Sequence, residues 1–396
     1  MDVLDLARLQ FALTGSIHFL FVVLTLGLAP LVAIMHTRWV RSGNPLHEHL
    51  TRFWGQIYVI NYALGIVTGL VMEFQFGLSW GGLSHYAGDV FGAPLAMETL
   101  IAFFLESTFL GLWIFGWHRL RKGLHLACIW IVTLTAYGSA FYIMVANSFL
   151  QNPVGSVVDG DHLRLTDFGA LLTNKMLVLS FPHVIGAGLT AGGFVVMGAS
   201  AYQLFRRTAH VEFFTRSLRT GVVVSAIGVL LAVGTGYAQF GVIQEGKFDG
   251  GNVGAAVGLG FMTLIGELLQ LVVPFLALPV IYWLPRWRWT HPILMIMTPL
   301  PFLAAVFGWM AREIGRQPWM IWERLTVADA MSPGLTSGMV TASLIGFTAV
   351  LGLLAVVDYV LIARVVRRGP GDLALGAWPH TTAAAPARRS DMELEV

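Results

Sequence analysis

The chain has 396 residues, 56% of them hydrophobic and only 12% charged, with a mean hydropathy of +0.72. That balance lies far outside the range of a soluble domain and marks an integral membrane protein. A net charge of +2 gives no sign of a nucleic-acid partner, and a single cysteine, Cys128, excludes an intrachain disulfide framework and any cysteine-ligated iron–sulfur or zinc cluster.

Near-continuous apolar stretches, each long enough to cross the hydrocarbon as a helix, run at roughly 12–36, 53–76, 92–116, 123–147, 180–205, 217–238, 254–284, 292–311 and 336–363. They predict an all-α polytopic bundle of nine transmembrane helices, since a membrane β-barrel would show alternating ten-residue segments instead. The opening MDVLDLARLQ places two aspartates before its first arginine and shows no small-residue cleavage pattern. It predicts a retained first helix rather than a removed signal peptide. Two longer connections, 148–179 and 312–335, lie on one side, and the segment from Gly369 onward is small, polar and proline-bearing. The expected organisation is a membrane domain over 1–368 and a disordered cytoplasmic tail over 369–396. No fixed-period repeat and no Gly-rich phosphate loop is present, which argues against an ATP-driven transporter core.

Basic residues set the orientation. Arg38, Arg41, Arg52, Arg119, Arg121, Lys122, Arg206, Arg207, Arg216, Arg219, Arg286, Arg288 and the five arginines from Arg364 onward fall on one side. Arg8, Arg164, Lys175, Lys247, Arg312, Arg316 and Arg324 fall on the other. The positive-inside rule then puts the N-terminus outside and the C-terminus in the cytoplasm. The charge of the chain thus reflects topology.

Chemistry has to sit in the few polar residues inside the segments. The stretch AMETLIAFFLEST, 96–108, sets Glu98 and Glu106 into an apolar run with no basic residue between them. Eight residues on an α-helix rise about 12 Å over two turns, so both acids point toward one side at different depths. An ionised acid at mid-depth costs about 2.5 to 3.5 kcal/mol on the insertion scale, which calls for a partner, a proton, a metal or a water-filled path. Of the twelve histidines, His36, His47, His49, His118, His210 and His291 fall in or beside cytoplasmic connections and read as solvated or interfacial, and His380 is in the tail. His18, in TGSIHFLFV, and His183, in SFPHVIGAG, lie near the outer ends of the first and fifth segments. A lone membrane histidine can simply bond a neighbouring helix; two at one depth, beside intramembrane acids, point toward a cofactor. Imidazole with a thioether makes a six-coordinate haem, and Met262 in GLGFMTLIGELLQ lies at matching depth to His183. Methionine is also a common gap-filler.

The stretches LARLQFALTGSIHFLFV, WGQIYVINYALGIVTGLVMEFQFG, GAPLAMETLIAFFLESTFLGL, VANSFLQNP and EIGRQPW closely resemble subunit I of the cytochrome bd family of respiratory oxygen reductases. The likeness runs through most of 1–205 and again over about 290–325. It implies a haem-bearing subunit that reduces dioxygen to water with two haem b, one low-spin and one high-spin, and one haem d. It also implies a membrane-embedded homologous subunit II, room for a small single-helix subunit, contact with lipid, and a quinol or other electron donor in a bacterial inner membrane. Carried over by position, His18 corresponds to a ligand of one active-site haem and Glu313, before GRQPW, to a ligand of the other, with Glu98 beside the pair. His183 and Met262 correspond to the axial ligands of the low-spin haem. Glu106, Ser107 and Ser139 correspond to a polar path bringing protons from the cytoplasm, and Trp309 and Arg316 to residues beside the haem pair. In this reading ferric iron and arginine offset the charge of Glu98, Glu106 is held protonated and poised to relay, and Arg312 and Arg316 suit haem propionates.

The chain also departs from the family pattern. Where members carry a long external loop that helps bind quinol, only AQFGVIQEGKFDGGN remains between the sixth and seventh segments. Gln244 and Lys247 keep the Q-x-x-K spacing of a residual quinol site, but the acid expected about five positions later falls near Asn252, and Gly260 stands where an arginine is usual. Glu267 is an intramembrane acid with no family counterpart. Two other readings therefore stand beside the quinol oxidase: a bd-like oxygen reductase fed by a different donor, and a proton-coupled transporter, which would call for broken helices and internal repeats.

Overall fold

A computed structural model of the chain describes residues 2–243, 252–371 and 373–377. Helix α1 spans Val3–Ser42 and α2 Pro45–Ser79; α3, Gly81–Met97, passes through a π-helical turn, Glu98–Phe103, into α4, Phe104–Phe115. After α5, Lys122–Gln151, come a hairpin of β1, Ser156–Asp159, and β2, His162–Leu165, and a short α6, Phe168–Leu172. Then follow α7, Lys175–Phe205, α8, Val211–Gln239, and α9, Val253–Gln270, which ends in a second π turn, Leu271–Ala277. Helices α10, Thr290–Met297, and α11, Leu300–Ile314, precede a small pair of strands, β3, Trp319–Ile321, and β4, Leu325–Thr326, and α12, Ser337–Arg368, closes the fold.

Nine spans among the described residues are long and apolar enough to cross a membrane, as the apolar runs predict. Several helices reach beyond the apolar windows. The third span starts at Gly81, and only residues 43 and 44 separate α1 from α2. Local signals fix these ends. The Asp2 carboxylate accepts from Asp5 N at 2.7 Å, and Asn44 Oδ1 accepts from Leu46 N at 2.9 Å just before Pro45. Such caps satisfy amide groups that a helix start leaves without partners.

Helix α1 is the hub, packing against α2, α5, α7, α11 and α12. It crosses α7 so closely that a Cβ on Gly27 would lie 2.8 Å from the Gly192 Cα, so small residues are required there. Side-chain bonds reinforce the inner helices: Asn61 Nδ2 donates to Phe21 O at 3.0 Å and Thr25 Oγ1 at 2.8 Å, and Trp54 Nε1 donates to Ser217 Oγ at 3.0 Å. Burial is uneven. In the apolar stretch of the fifth span 72% of residues are buried, against 11% in the ninth and 12% in the third. The outer spans therefore present their apolar faces to whatever surrounds the chain.

The basic end of the bundle departs from expectation. His36 and His291 are buried rather than solvated, as is His125. His36 stacks on Trp39 and Trp117 with ring centroids 5.2 and 5.9 Å away, and Trp113 Nε1 donates to its Nδ1 at 3.1 Å. Helices that continue past the apolar window carry His36 and His125 into an aromatic box instead of into water. Residues 373–377 cover this box. Ala374 N and Leu375 N donate to Gln56 Oε1 at 2.9 and 3.2 Å, and Leu375 is buried. Residues 378–396, with His380, lie outside the described residues.

Candidate functional site

A cavity of about 820 Å³ lies between the helices. His18, Glu98, Glu106, Ser139, His183, Met262, Trp309, Glu313 and Arg316 all line it. Sequence reasoning set these residues on six helices and one loop; the fold brings them to one wall system. Its size falls within the range of small-molecule and cofactor sites.

The two histidines are prepared in the same way. Thr68 Oγ1 gives its only hydrogen to Gly65 O at 2.6 Å, so it accepts from His18 Nδ1 at 2.8 Å. His183 Nδ1 lies 2.7 Å from the Ala232 carbonyl, which can only accept. Both imidazoles are thereby fixed with the hydrogen on Nδ1, leaving an Nε2 lone pair for a metal. Met262 reaches the same cavity because α11 carries Gly308 beside it, where a Cβ would stand 2.5 Å from the thioether sulfur.

Acids and arginines gather elsewhere in the cavity. Arg316 Nη2 donates to Glu313 Oε2 at 2.5 Å, Asn147 Nδ2 to Glu313 Oε1 at 3.0 Å, and Arg312 Nε to Asn147 Oδ1 at 2.6 Å. Arg316 is 4% exposed, and burial pulls its guanidinium below the usual arginine range while Glu313 opposes the shift. Arg316 Nε and Nη1 and Arg312 Nη2 are buried with no partner among the described residues. Orphaned donors of this kind need acceptors, and the carboxylates of haem propionates would supply them. The donor set fits haem: two neutral imidazoles with Nε2 toward the cavity, a thioether, a glutamate, and guanidinium forks for carboxylates.

Glu98 is held differently from the reading in which arginine offsets its charge. Arginine goes to Glu313, and Glu98 instead receives Ser139 Oγ at 2.6 Å on Oε1 and faces Thr99 Oγ1 at 3.1 Å on Oε2. Thr99 Oγ1 also lies 2.9 Å from Glu73 Oε1. The π turn that begins at Glu98 widens the helix there, a distortion frequent at functional sites. Glu106 lies on the next helical segment, 6% exposed, with Oε1 lacking a partner among the described residues. Ser107 spends its hydroxyl on Phe103 O at 2.8 Å, and Ser139 serves Glu98 rather than Glu106. Trp309 packs on Phe11, centroids 6.0 Å apart, and against Gly15. Glu267, on α9, accepts a hydrogen bond from Tyr237 of α8. Gln244 and Lys247 lie outside the described residues.

Sequence reasoning passes over Glu73, Thr68, Thr99 and Asn147. Glu73, in GLVMEFQFG, carries the same signal that singles out Glu98, an acid in an apolar run. The other three are visible only as partners.

Helices that converge on a cavity with free imidazole nitrogens and buried arginine N–H groups that have no partner among the described residues define a membrane protein built to hold prosthetic groups. The family model of cytochrome bd terminal oxidase subunit I matches residues 6–245 and 254–370. Cytochrome bd ubiquinol oxidase subunit 1 of Bacillus subtilis (strain 168) is 35% identical, over 93% of this chain and 94% of that protein. Cytochrome bd-II ubiquinol oxidase subunit 1 of Escherichia coli (strain K12) is 48% identical over 59% of this chain and 45% of its own length. The bd oxidase structure from Geobacillus thermodenitrificans shares the fold with a TM-score of 0.83, covering 93% of this chain and 99% of that chain at 22% identity. The chain belongs to the cytochrome bd terminal oxidase subunit I family. It is a multi-pass membrane protein and a respiratory oxygen reductase with haem as its cofactor, which removes the transporter reading.

Proposed function

We propose that this chain is the haem-bearing subunit of a bd-type terminal oxidase in a bacterial inner membrane, paired with a subunit II, with its N-terminus outside and its C-terminus cytoplasmic. The observation that carries the reading is the convergence of His18, His183, Met262, Glu313, Arg312 and Arg316 on one cavity. When bound, two haem b and one haem d would carry electrons and take up dioxygen. His183 Nε2 and Met262 Sδ would hold the low-spin haem, and His18 and Glu313 the two haems of the oxygen site. The Nδ1–H bonds to Ala232 O and Thr68 Oγ1 fix ring orientation and raise the basicity of each Nε2. Arg312 and Arg316 would clamp propionates, while Asn147 keeps Glu313 in place. Glu106 would relay cytoplasmic protons past Ser107 toward Glu98 and Ser139.

Relatives named ubiquinol oxidases support a quinol donor. The family match omits residues 246–253, in the short connection that holds Lys247, and Gln244 and Lys247 offer only one amide and one cation for a head group. Quinol oxidation is therefore expected to be weak and insensitive to Lys247→Ala, with electrons entering the low-spin haem from another donor or through a partner subunit. Oxygen uptake by the purified complex with short-chain quinols tests this. Saturable turnover at ordinary respiratory rates, abolished by Lys247→Ala, would establish the conventional quinol oxidase instead.

A further inference from the structure

Two carboxylates in this cavity meet at one hydroxyl. Thr99 Oγ1 lies 2.9 Å from Glu73 Oε1 and 3.1 Å from Glu98 Oε2, yet a threonine has a single hydrogen to donate. One contact is satisfied by that hydrogen. The other becomes a hydrogen bond only when the second carboxyl carries a proton and donates it to the threonine oxygen. Ser139 Oγ already supplies Glu98 Oε1 at 2.6 Å, so the remaining demand falls on the oxygens that face Thr99. Two acids drawn into an apolar cavity cannot both stay ionised cheaply, which favours one proton held between them.

Position ties this pair to the oxygen site. Glu73 lies one helical turn beyond Gly69 on α2, on the same face. A Cβ at Gly69 would stand 3.4 Å from His18 Cε1, so the face of α2 that carries Glu73 is turned toward the His18 end of the cavity. Glu73, Thr99 and Glu98 all line the cavity. Glu106, 6% exposed, lines the same cavity.

We propose that Glu73 is a further proton-holding residue of the oxygen site: it shares one proton with Glu98 through the Thr99 hydroxyl, and the pair releases that proton to oxygen as it is reduced. The inference rests on the terminal oxidase reading. Reduction of dioxygen to two waters takes four electrons and four protons; the electrons come from the respiratory donor. At each delivery a carboxyl O–H bond breaks, an O–H bond to the reduced oxygen forms, and the pair is left as two carboxylates until a proton from the Glu106 side restores it.

The test is redox-triggered infrared difference spectroscopy of the whole purified complex in H₂O and D₂O, with haem content measured on the same samples. The wild type should show one protonated-carboxyl C=O band that shifts on deuteration. Glu73→Gln should remove or shift that band, Glu98→Gln should affect the same band rather than a second one, and Thr99→Val, which keeps both acids, should shift it. In Glu73→Gln the proton-coupled phase of oxygen reduction should slow by about 10²-fold, the lower range of general acid–base effects, with partial recovery in Glu73→Asp. An unshifted band in haem-loaded Glu73→Gln, or in Thr99→Val should the former lose haem, overturns the shared proton. Haem-free wild-type protein would overturn the oxidase reading together with it.

Discussion

The His18 and His183 ends of the cavity use one device for different ends. At each, Nδ1–H donates, to Thr68 Oγ1 at one end and to the Ala232 carbonyl at the other, which leaves Nε2 free. A Cβ at Gly236 would stand 3.1 Å from the His183 ring, and Met262, Val229 and Val233 line the same cavity. Around His18 the cavity carries Glu73, Glu98 and Thr99. A thioether and an imidazole in apolar surroundings suit a group that passes electrons and binds nothing else. Acids and hydroxyls beside an imidazole suit a site that must also move protons. The ligand type does not set the role; the neighbours do.

The largest expected effect separates the two ends. His183→Ala should abolish the low-spin b signal or turn it high-spin while the haems at His18 and Glu313 persist, and Met262→Leu should act in the same sense more mildly. Optical and electron paramagnetic resonance spectra of the two variants check this, and unchanged low-spin absorption in both would break the division. Next is Arg316→Gln, which leaves Glu313 buried without its 2.5 Å cation. Breaking a buried pair on one side costs about 3–5 kcal/mol, so the variant should lose thermal stability and haem at the oxygen site, with the low-spin spectrum retained. A uniform loss of all haems would instead show one undivided cavity.

The smallest effect lies between the spans, in the β1–β2 hairpin. Exposed Asp161, in the turn between β1 and β2, is held below the usual carboxylate range by His162 and then by His85 of α3. A depressed carboxylate contributes while ionised, so the latch is complete above the ordinary aspartate range and is lost as pH falls through the lowered value. Amide exchange in 156–165 should rise at acid pH, and Asp161→Asn should remove that dependence while both haem signatures stay put.

Much of this architecture is legible in the chain because a helix that crosses lipid must be a long apolar run. The spans were readable for that reason, and so were His18, His183, Glu98 and Glu106 as polar residues out of place. The pairing of Met262 with His183, and of Glu313 with the oxygen site, came from resemblance rather than spacing. What stayed hidden is relational. Thr68 looks like any small polar residue until α2 sets it beside His18, and Asn147 is silent until it lies between Arg312 and Glu313. His36 misled because a position near a basic connection suggests water, whereas the extended helices fold it against Trp39, Trp113 and Trp117. The arginine expected at Glu98 is at Glu313, since contact between helices is set by packing that no single segment records.

Haem analysis of the purified complex tests the central claim most directly. Pyridine haemochrome assay with a reduced-minus-oxidised spectrum should show haem b and haem d in a two-to-one ratio, one b low-spin, with oxygen consumed on reduction. Protein that folds in the membrane yet shows no haem bands would contradict the account.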